Sequence, residues 1–248
     1  MRIILEISSE KEIKLPIQYN RILQGFIYNN LSDKDYREFI HSQGYQLDNK
    51  KFKFFTYSRL LGKFNLYPRP NEIGFESPVK LVISSAVEQF ITDLAETLIK
   101  ADFLFLGGNQ VDISSITVEK QFEFTETMQI KMLSPVVAYS TENKLTHYYS
   151  PWHPRFNEII TRNLIDKYKT LFGYMPEEQA FKMIPNGMQE KKFKIVTNFK
   201  NIIIEGYNGI YFLKGNPELI DIAYHAGLGS KNAQGFGCWE VVRYGELL

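Results

Sequence analysis

The sequence predicts an α+β protein in which one order of elements, β-α-β-β-α-β, occurs twice along the 248 residues. Three observations support this fold class. Hydrophobic residues make up 44% of the chain and charged residues 23%, which is typical of a globular protein that can bury a core. Each half contains one long helix pattern with an apolar stripe, at residues 86–101 and 156–172. Alternating segments rich in β-branched residues surround both helix patterns.

The first half supplies the first set of elements. Residues 2–7 alternate and are rich in isoleucine, so they predict a strand, and Pro16 then opens a predicted helix with Leu23, Phe26 and Ile27 toward the core. The remaining predicted elements are, in order, a short helix at 33–42 with Tyr36, Phe39 and Ile40 on its buried side, β-prone residues 51–61, a strand within 72–84, the helix at 86–101 and a strand near 116–124.

The second half repeats this order without a residue-level repeat. Its predicted elements are a strand at 128–137, a helix at 156–172, strands at 193–199 and 202–213, a helix at 217–226 and a last strand at 236–244. This order is the ferredoxin-like (RRM-like) arrangement. We therefore predict two tandem ferredoxin-like domains, residues 1–125 and 126–248, with a glycine-rich loop near the C-terminus of the second.

Charge and cysteine content limit the class of protein. The net charge is +1, whereas a nucleic-acid-binding protein is expected to be basic at least locally. On charge alone, the lysines within 50–53 and 191–200 are predicted to be solvated strand edges. Cys238 is the single cysteine, which excludes an internal disulfide and suits a reducing cytoplasm. The N-terminus does not resemble a signal peptide and no stretch approaches the roughly 20 apolar residues of a membrane span, so we predict no membrane partner.

The most specific motif is GLGSKNAQGFG at residues 227–237. Glycines permit positive φ and close approach of a ligand, so successive free N–H groups can bind phosphate oxygens, and Lys231 adds a charge. A helix pattern precedes the motif and a strand pattern follows, the reverse of a dinucleotide fingerprint, and it is not a P-loop. We therefore favour a binding loop over a flexible connection. Its candidate binding residues are Gly227, Gly229, Ser230, Lys231, Asn232, Gln234, Gly235 and Gly237.

Histidine is the residue type that suits proton transfer near neutral pH. Among the four histidines, His41 lies off the predicted buried side of the short helix, although a lone histidine is usually structural or incidental. No closely spaced carboxylates and no His-x-x-x-His pair predict a metal site, and no motif predicts a cofactor.

The glycine-rich motif, followed by a short strand, resembles the C-terminal signature of the RAMP superfamily of CRISPR-associated proteins. Four further segments resemble its stand-alone endoribonuclease, which cuts precursor CRISPR RNA within each repeat. They are LQGFIYNNL at 23–31, IHSQG at 40–44, KFFTYS at 53–58 and NEIITRNLIDKYKTLFG at 157–173. The resemblance therefore covers nearly the whole chain.

The resemblance implies a metal-independent endoribonuclease that binds CRISPR repeat RNA and leaves a 5′-OH and a 2′,3′-cyclic or 3′-phosphate. His41 falls at the position of the family's catalytic histidine. Tyr28 matches a tyrosine that positions or deprotonates the 2′-OH, and Lys53 matches the family's lysine. Lys51 is the alternative to Lys53 and a candidate RNA contact, because residues i and i+2 share a face of an extended strand. We favour positioning for Tyr28 and proton transfer for His41, and which of them is the base stays open.

Two other functions remain as alternatives. The first is a non-catalytic RAMP subunit that holds guide RNA in a CRISPR effector complex, and the second is a small-molecule enzyme that uses the glycine-rich loop for a nucleotide phosphate. The resemblance also implies subunits of an interference complex as partners, and it leaves a homodimer open.

Overall fold

The computed structural model describes residues 1–120, 122–187 and 190–242, and its architecture is α+β, as the sequence predicts. The helices are α1 (Asn20–Asn29), α2 (Lys34–Glu38), α3 (Glu88–Lys100), α4 (Pro154–Phe172), α5 (Glu190–Phe193) and α6 (Pro217–Ala226). The strands are β1 (Arg2–Ser8), β2 (Ile13–Pro16), β3 (Tyr45–Leu47), β4 (Lys50–Phe52), β5 (Phe55–Tyr57), β6 (Phe64–Tyr67), β7 (Glu72–Phe75), β8 (Val79–Ser85), β9 (Leu104–Leu106), β10 (Asn109–Val118), β11 (Thr127–Met132), β12 (Ala138–Glu142), β13 (Leu145–Tyr149), β14 (Phe181–Pro185), β15 (Lys194–Phe199), β16 (Ile202–Tyr207), β17 (Ile210–Gly215) and β18 (Trp239–Val241).

An antiparallel sheet in the order β5-β8-β1-β10-β9 organises the first half of the chain. Its central strand β1 pairs Leu5 with Leu81 on one side and with Ile116 on the other. Helices α1 and α3 cover the sheet, because their apolar stripes carry buried residues such as Leu23 and Leu94 into the same core as β1. Burial of these stripes supplies the main stabilisation of this half.

A second antiparallel sheet, in the order β14-β17-β11-β18, organises the other half. Helices α4 and α6 pack on it, and their buried residues share one core with β11 and β17. His153 caps α4, since its Nδ1 accepts a hydrogen bond from the backbone N–H of Arg155. Two buried residues of the first half, Phe52 and Phe54, also belong to this second core.

Several element bounds differ from the prediction. Pro16 ends β2, and α1 begins four residues later, because the missing N–H of proline is as compatible with a strand end as with a helix start. The predicted helix at 33–42 is α2 followed by a π-helical turn over Phe39–Gln43. The strand expected near 116–124 is β10, which begins earlier and ends at Val118.

The second sheet contains a strand that the sequence analysis missed. Its strand next to β17 is β14, whereas the predicted strand at 193–199 belongs to β15, which forms a separate hairpin with β16. The last predicted strand, 236–244, is shorter and spans Trp239–Val241, and positions 243–244 lie outside the described residues. None of the helices in the described part of the chain combines the length and apolar character that crossing a membrane requires.

A buried charged group joins the two halves. The guanidinium of Arg2 lies 3.0 Å from the carboxylate of Glu119, donates to the carbonyl oxygen of Trp239 at 2.7 Å and covers the ring of Tyr224. Because Arg2 is 3% exposed, removing one partner would leave a charge uncompensated in the interior. These contacts fix the first sheet relative to the C-terminal segment that carries the glycine-rich motif.

Candidate functional site

Three residues from three different elements meet at one point of the first half. Tyr28 lies in the last turn of α1, His41 in the π-helical turn after α2, and Lys53 between β4 and β5. The ammonium of Lys53 donates to the phenol oxygen of Tyr28 at 3.3 Å and to the backbone carbonyl of His41. The rings of Tyr28 and His41 make an edge contact with their centroids 5.3 Å apart. The structure therefore brings together the residues that the sequence analysis singled out for catalysis.

Local packing sets the position of each side chain. Ile40 is fully buried and anchors the π-helical turn, so that the next side chain, His41, is exposed. The ring of Tyr28 is almost buried and also meets the edge of Phe55. The N–H of Gly44 donates to the carbonyl of Phe39 at 2.7 Å and closes the turn before the β3–β4 hairpin begins. The hairpin then returns the chain to Lys53.

Burial changes the acidity of two of these groups. Desolvation raises the pKa of the Tyr28 phenol far above its usual value, so the phenol is neutral at neutral pH. Desolvation also lowers the pKa of Lys53, with smaller contributions from the charges of Lys200 and Lys51. Tyr28 therefore accepts from Lys53 and keeps its own proton for a further partner.

An open groove of about 780 Å³ runs from Lys53 to the glycine-rich loop. Its lining includes seven Lys and Arg side chains and, among the described residues, no Asp or Glu. These cations are Lys50, Lys51, Lys53, Arg155, Arg162, Lys167 and Lys231. Within the described part of the chain, two of these cations have a carboxylate partner, in the pairs Lys50–Asp166 and Arg155–Glu142. A net charge of +1 is thus compatible with a strongly basic groove. Lys50 and Lys51 are exposed on β4, as expected of solvated strand-edge lysines, whereas Lys53 is half-buried and contacts Tyr28.

Lys200, one of the lysines within residues 191–200, has different surroundings from Lys50 and Lys51. Lys200 occupies the two-residue turn of the β15–β16 hairpin, where it and Asn201 adopt positive φ. The N–H of Asn198 donates to the side-chain oxygen of Gln18 at 3.2 Å, and Gln18 lies just before α1. The β15–β16 hairpin of the second half therefore contacts the first half. Lys200 is close enough to Lys53 to affect its pKa, and the sequence analysis missed this proximity.

The glycines of the loop occupy positions that a side chain would not fit. Gly229 has φ +66°, and a Cβ there would lie 2.4 Å from the carbonyl oxygen of Val137. At Gly235, with φ +85°, a Cβ would lie 2.7 Å from the ring of Tyr57. Both glycines are therefore required by close packing of the backbone, whatever the loop binds.

The N–H groups of the loop are largely used inside the chain. Ser230 donates to Val137, Gly235 to Asn232 and Gly237 to Pro135. The expectation that successive free N–H groups bind phosphate is therefore wrong at these positions, since backbone carbonyls already accept from them. Ser230, Lys231 and Gln234 line the groove, so their side chains are available to a ligand there.

Asn232 has a structural task instead of the ligand contact that the sequence analysis assigned to it. Its amide nitrogen donates to the carbonyls of Leu228 and Phe236, both at 3.0 Å, and its amide oxygen accepts from the ammonium of Lys167 at 2.8 Å. Lys167 is 2% exposed and was not among the predicted residues. Its signal was available, because it falls on the buried stripe of α4 between Leu164 and Tyr168.

The loop is also attached to the first half of the chain. Asn20 and Gln24 of α1 donate their amide N–H groups to the carbonyls of Gln234 and Ala233, at 2.9 and 2.6 Å. The helix that carries Tyr28 thus holds one end of the loop. Within the described ranges, no group of three or more His, Cys, Asp or Glu side chains is placed to hold a metal ion.

Comparison with known proteins gives a consistent family. The family model "CRISPR associated protein Cas6, C-terminal" matches residues 118–241, half of the chain. The chain is 26% identical to "CRISPR-associated endoribonuclease Cas6 1" of Methanocaldococcus jannaschii, over 96% of this chain and 91% of the relative. It is 24% identical to "CRISPR-associated endoribonuclease Cas6" of Pyrococcus furiosus, over 94% and 85% of the two chains. Its fold is similar to the solved structure described as "Characterization of a Cas6-related gene from Pyrococcus furiosus", with a TM-score of 0.83, 20% identity and coverage of 98% and 99%.

Proposed function

This chain belongs to the Cas6 family of CRISPR-associated proteins, and we propose that it is an endoribonuclease that binds CRISPR repeat RNA and cuts precursor transcripts within the repeats. Two relatives that align with nearly its whole length are named CRISPR-associated endoribonucleases. The single observation that carries the proposal is the position of Lys53. Its ammonium contacts both Tyr28 and the His41 carbonyl, and its side chain also lines the basic groove.

The proposed chemistry is an internal attack by RNA on its own backbone. The 2′-oxygen forms a bond to the adjacent phosphorus while the bond from phosphorus to the 5′-oxygen breaks. The 2′-OH loses its proton, and the leaving 5′-oxygen gains one. The products are a 2′,3′-cyclic phosphate, which hydrolysis opens to a 3′-phosphate, and a 5′-OH. No metal ion is required when a base, an acid and a cation are supplied by side chains.

Each side chain of the cluster suits one role. His41 is exposed and carries an imidazole, so we assign proton transfer to it. The raised pKa of Tyr28 argues against a base at neutral pH and favours a hydrogen-bond donor that orients the 2′-OH or the phosphate. Lys53 supplies positive charge at the phosphate, where charge develops in the transition state. Lys51, which is exposed and lacks a contact with the described atoms of Tyr28 or His41, is assigned to RNA binding.

The groove provides the binding surface for the RNA strand that enters the cluster. Lys51, Arg162 and Lys231 face it from three different segments, and Tyr139 of β12 adds an aromatic ring beside Lys231. Cations neutralise backbone phosphates, and an aromatic ring stacks on a base. We assign Ser230, Lys231 and Gln234 to RNA contact, whereas Gly227, Gly229, Asn232, Gly235 and Gly237 maintain the shape of the loop.

We infer further that each half of the chain is one ferredoxin-like domain, with the boundary near residue 125. The support is topological. The four strands of the β-α-β-β-α-β set are β1, β5, β8 and β10 in the first half and β11, β14, β17 and β18 in the second. In both sheets these four strands lie side by side in the order second, third, first, fourth, which gives β5-β8-β1-β10 and β14-β17-β11-β18. Two helices pack on each of them.

Location and partners complete the proposal. Cys238 is buried, and desolvation raises the pKa of its thiol to about 11, so the thiol stays protonated at neutral pH. A chain whose single cysteine is unreactive suits a reducing cytoplasm. Guide RNA released by cleavage would pass to subunits of an interference complex. A homodimer stays a prediction, which sedimentation at several protein concentrations would test.

Labelled repeat RNA incubated with the protein, with and without EDTA, tests the proposed function. We expect one specific cut in both reactions. Binding without cleavage would favour the non-catalytic subunit. Absence of both binding and cleavage would contradict the proposal and leave the small-molecule enzyme, which the reversed order of helix and strand around the loop disfavours.

A further inference from the structure

The glycine-rich loop is built around one buried ammonium group. The Nζ atom of Lys167 donates to the carbonyl of Gly227 at 2.7 Å, to the carbonyl of Gly229 at 3.0 Å and to the side-chain oxygen of Asn232 at 2.8 Å. A lysine ammonium has three N–H donors, so all of them are used. Lys167 approaches the loop from α4, a helix of the second half that starts more than 60 residues earlier in the chain.

Asn232 extends this network to the remainder of the loop. Its amide nitrogen binds the carbonyls of Leu228 and Phe236, so the side chains of Lys167 and Asn232 together hold the loop on both sides of Lys231. Lys231 itself has a positive φ of 62°, a conformation that costs a non-glycine residue free energy and that its neighbours must maintain. Its ammonium lies over the ring of Tyr139 at 4.8 Å, at the wall of the groove.

Lys167 cannot take the role of a phosphate ligand in this arrangement. Its side chain is 2% exposed although it adjoins the groove, and its donors already have acceptors. A buried charge is tolerated only when it is hydrogen-bonded, and removal of the charge would leave three oxygens without donors. Burial also lowers the pKa of Lys167, to about 7, whereas the three surrounding oxygens favour the charged form.

We infer that Lys167 is a positioning residue for RNA binding: its ammonium holds residues 227–236 in the shape that places Lys231 at the groove. The inference rests on the proposed function, because Lys231 is the residue through which the effect reaches RNA. A positioning role differs from a general stabilising role in the effect that it predicts for a double variant. If Lys167 acts through Lys231, the effects of changing the two residues on RNA affinity are not additive.

A double-mutant cycle tests this coupling. Repeat-RNA affinity is measured for the parent protein, Lys167→Met, Lys231→Ala and the double variant, and Lys169→Met serves as the control because Lys169 is exposed on the same helix. We expect Lys231→Ala to weaken binding by on the order of fivefold in the parent background, the size of one phosphate contact, and by less than about twofold in Lys167→Met. Equal factors in both backgrounds would overturn the inference, since a direct phosphate contact or a purely structural role of Lys167 would give additive effects.

A readout without RNA separates this inference from the proposed function. Hydrogen exchange at the amides of Ser230 and Gly237, which donate to Val137 and Pro135, should be faster in Lys167→Met than in the parent, with α4 still protected. Unchanged exchange there would overturn the inference even if RNA binding were lost. If Lys167→Met does not fold, Lys167→Gln replaces it, because a shorter neutral amide also removes the ammonium that joins Gly227, Gly229 and Asn232, and the same faster exchange is required. If the parent protein did not bind repeat RNA, the proposed function would be contradicted. The hydrogen-exchange comparison would still decide whether Lys167 holds the loop.

Discussion

The ammonium nitrogen of Lys53 lies 3.3 Å from the phenol oxygen of Tyr28, although 25 residues separate them in the chain. The same ammonium binds the carbonyl of His41, so one cation fixes the distance between the end of α1 and the π-helical turn. A cation held beside a neutral phenol and an exposed imidazole is the arrangement from which the following predictions are derived.

Replacing His41 by alanine should slow cleavage and leave binding intact. The expected loss is roughly 10²–10⁴-fold in the single-turnover rate, the usual contribution of one proton-transfer group. Gln43→Ala is the matched control, because Gln43 is exposed in the same π-helical turn. A His41→Ala protein that cuts at the parental rate would remove this residue from the mechanism.

Replacing Lys53 should affect the chemical step more than replacing Lys51 does. We expect Lys53→Ala to reduce the rate at saturating protein by about 10²-fold or more, since a charge at the phosphate stabilises the transition state. Lys51→Ala should mainly weaken binding, because Lys51 lines the groove outside the cluster. Measured rates at saturation for both variants decide the question, and the opposite order of effects would assign the catalytic charge to Lys51.

Removing the Tyr28 hydroxyl should lower the rate without changing its pH dependence. Burial raises the pKa of Tyr28, so the phenol does not lose its proton in the neutral range and no step waits for its titration. Tyr28→Phe should therefore reduce cleavage by roughly tenfold, the value of about one hydrogen bond, with parallel profiles between about pH 6 and 9. If Tyr28→Phe abolished an alkaline rise that the parent shows, Tyr28 would be the base.

Alanine at Gly229 or Gly235 should destabilise the fold, whereas alanine at Lys231 should not. The added Cβ would lie 2.4 Å from Val137 O or 2.7 Å from the Tyr57 ring, and positive φ adds strain, so we expect a loss of about 2 kcal/mol or more in unfolding free energy. Lys231→Ala should leave the melting temperature near that of the parent and flatten the salt dependence of RNA binding.

Thermal melts and binding curves at several salt concentrations check this separation, with Lys100→Ala as a control for charge, since Lys100 does not line the groove. Glycine variants that melt like the parent yet bind RNA poorly would show that the glycines contact RNA directly. A salt dependence that Lys231→Ala leaves unchanged would remove Lys231 from the binding surface.

The amphipathic patterns predicted the long helices well, because local periodicity determines which face is buried. Helices α3, α4 and α6 begin and end within two residues of their predicted bounds. Strand β14 was missed because its alternation, FKMIP, is short and ends in proline. The strand predicted at 193–199 is β15, but the strand predicted at 202–213 is divided into β16 and β17, which lie in different sheets. Sequence alone does not specify which strands share a sheet, since pairing depends on residues far apart in the chain.

One part of the candidate site could be predicted from the sequence and another part could not. The meeting of Tyr28, His41 and Lys53 could be expected from the family resemblance, and their contacts agree with it. The three acceptors of Lys167 could not be expected, because they lie 60 or more residues away in the chain. Its burial could be expected, although most lysines are solvated. A charged residue on an otherwise buried helical stripe is the signal that would have identified it.

Cleavage of repeat RNA that carries a single 2′-deoxy sugar immediately upstream of the scissile phosphate tests the central claim most directly. The account predicts that the parent protein binds this RNA as tightly as the all-ribose strand and does not cut it at that position, with or without EDTA. Efficient cleavage of the deoxy substrate at the same phosphate would contradict attack by the 2′-OH and with it the proposed roles of His41, Tyr28 and Lys53.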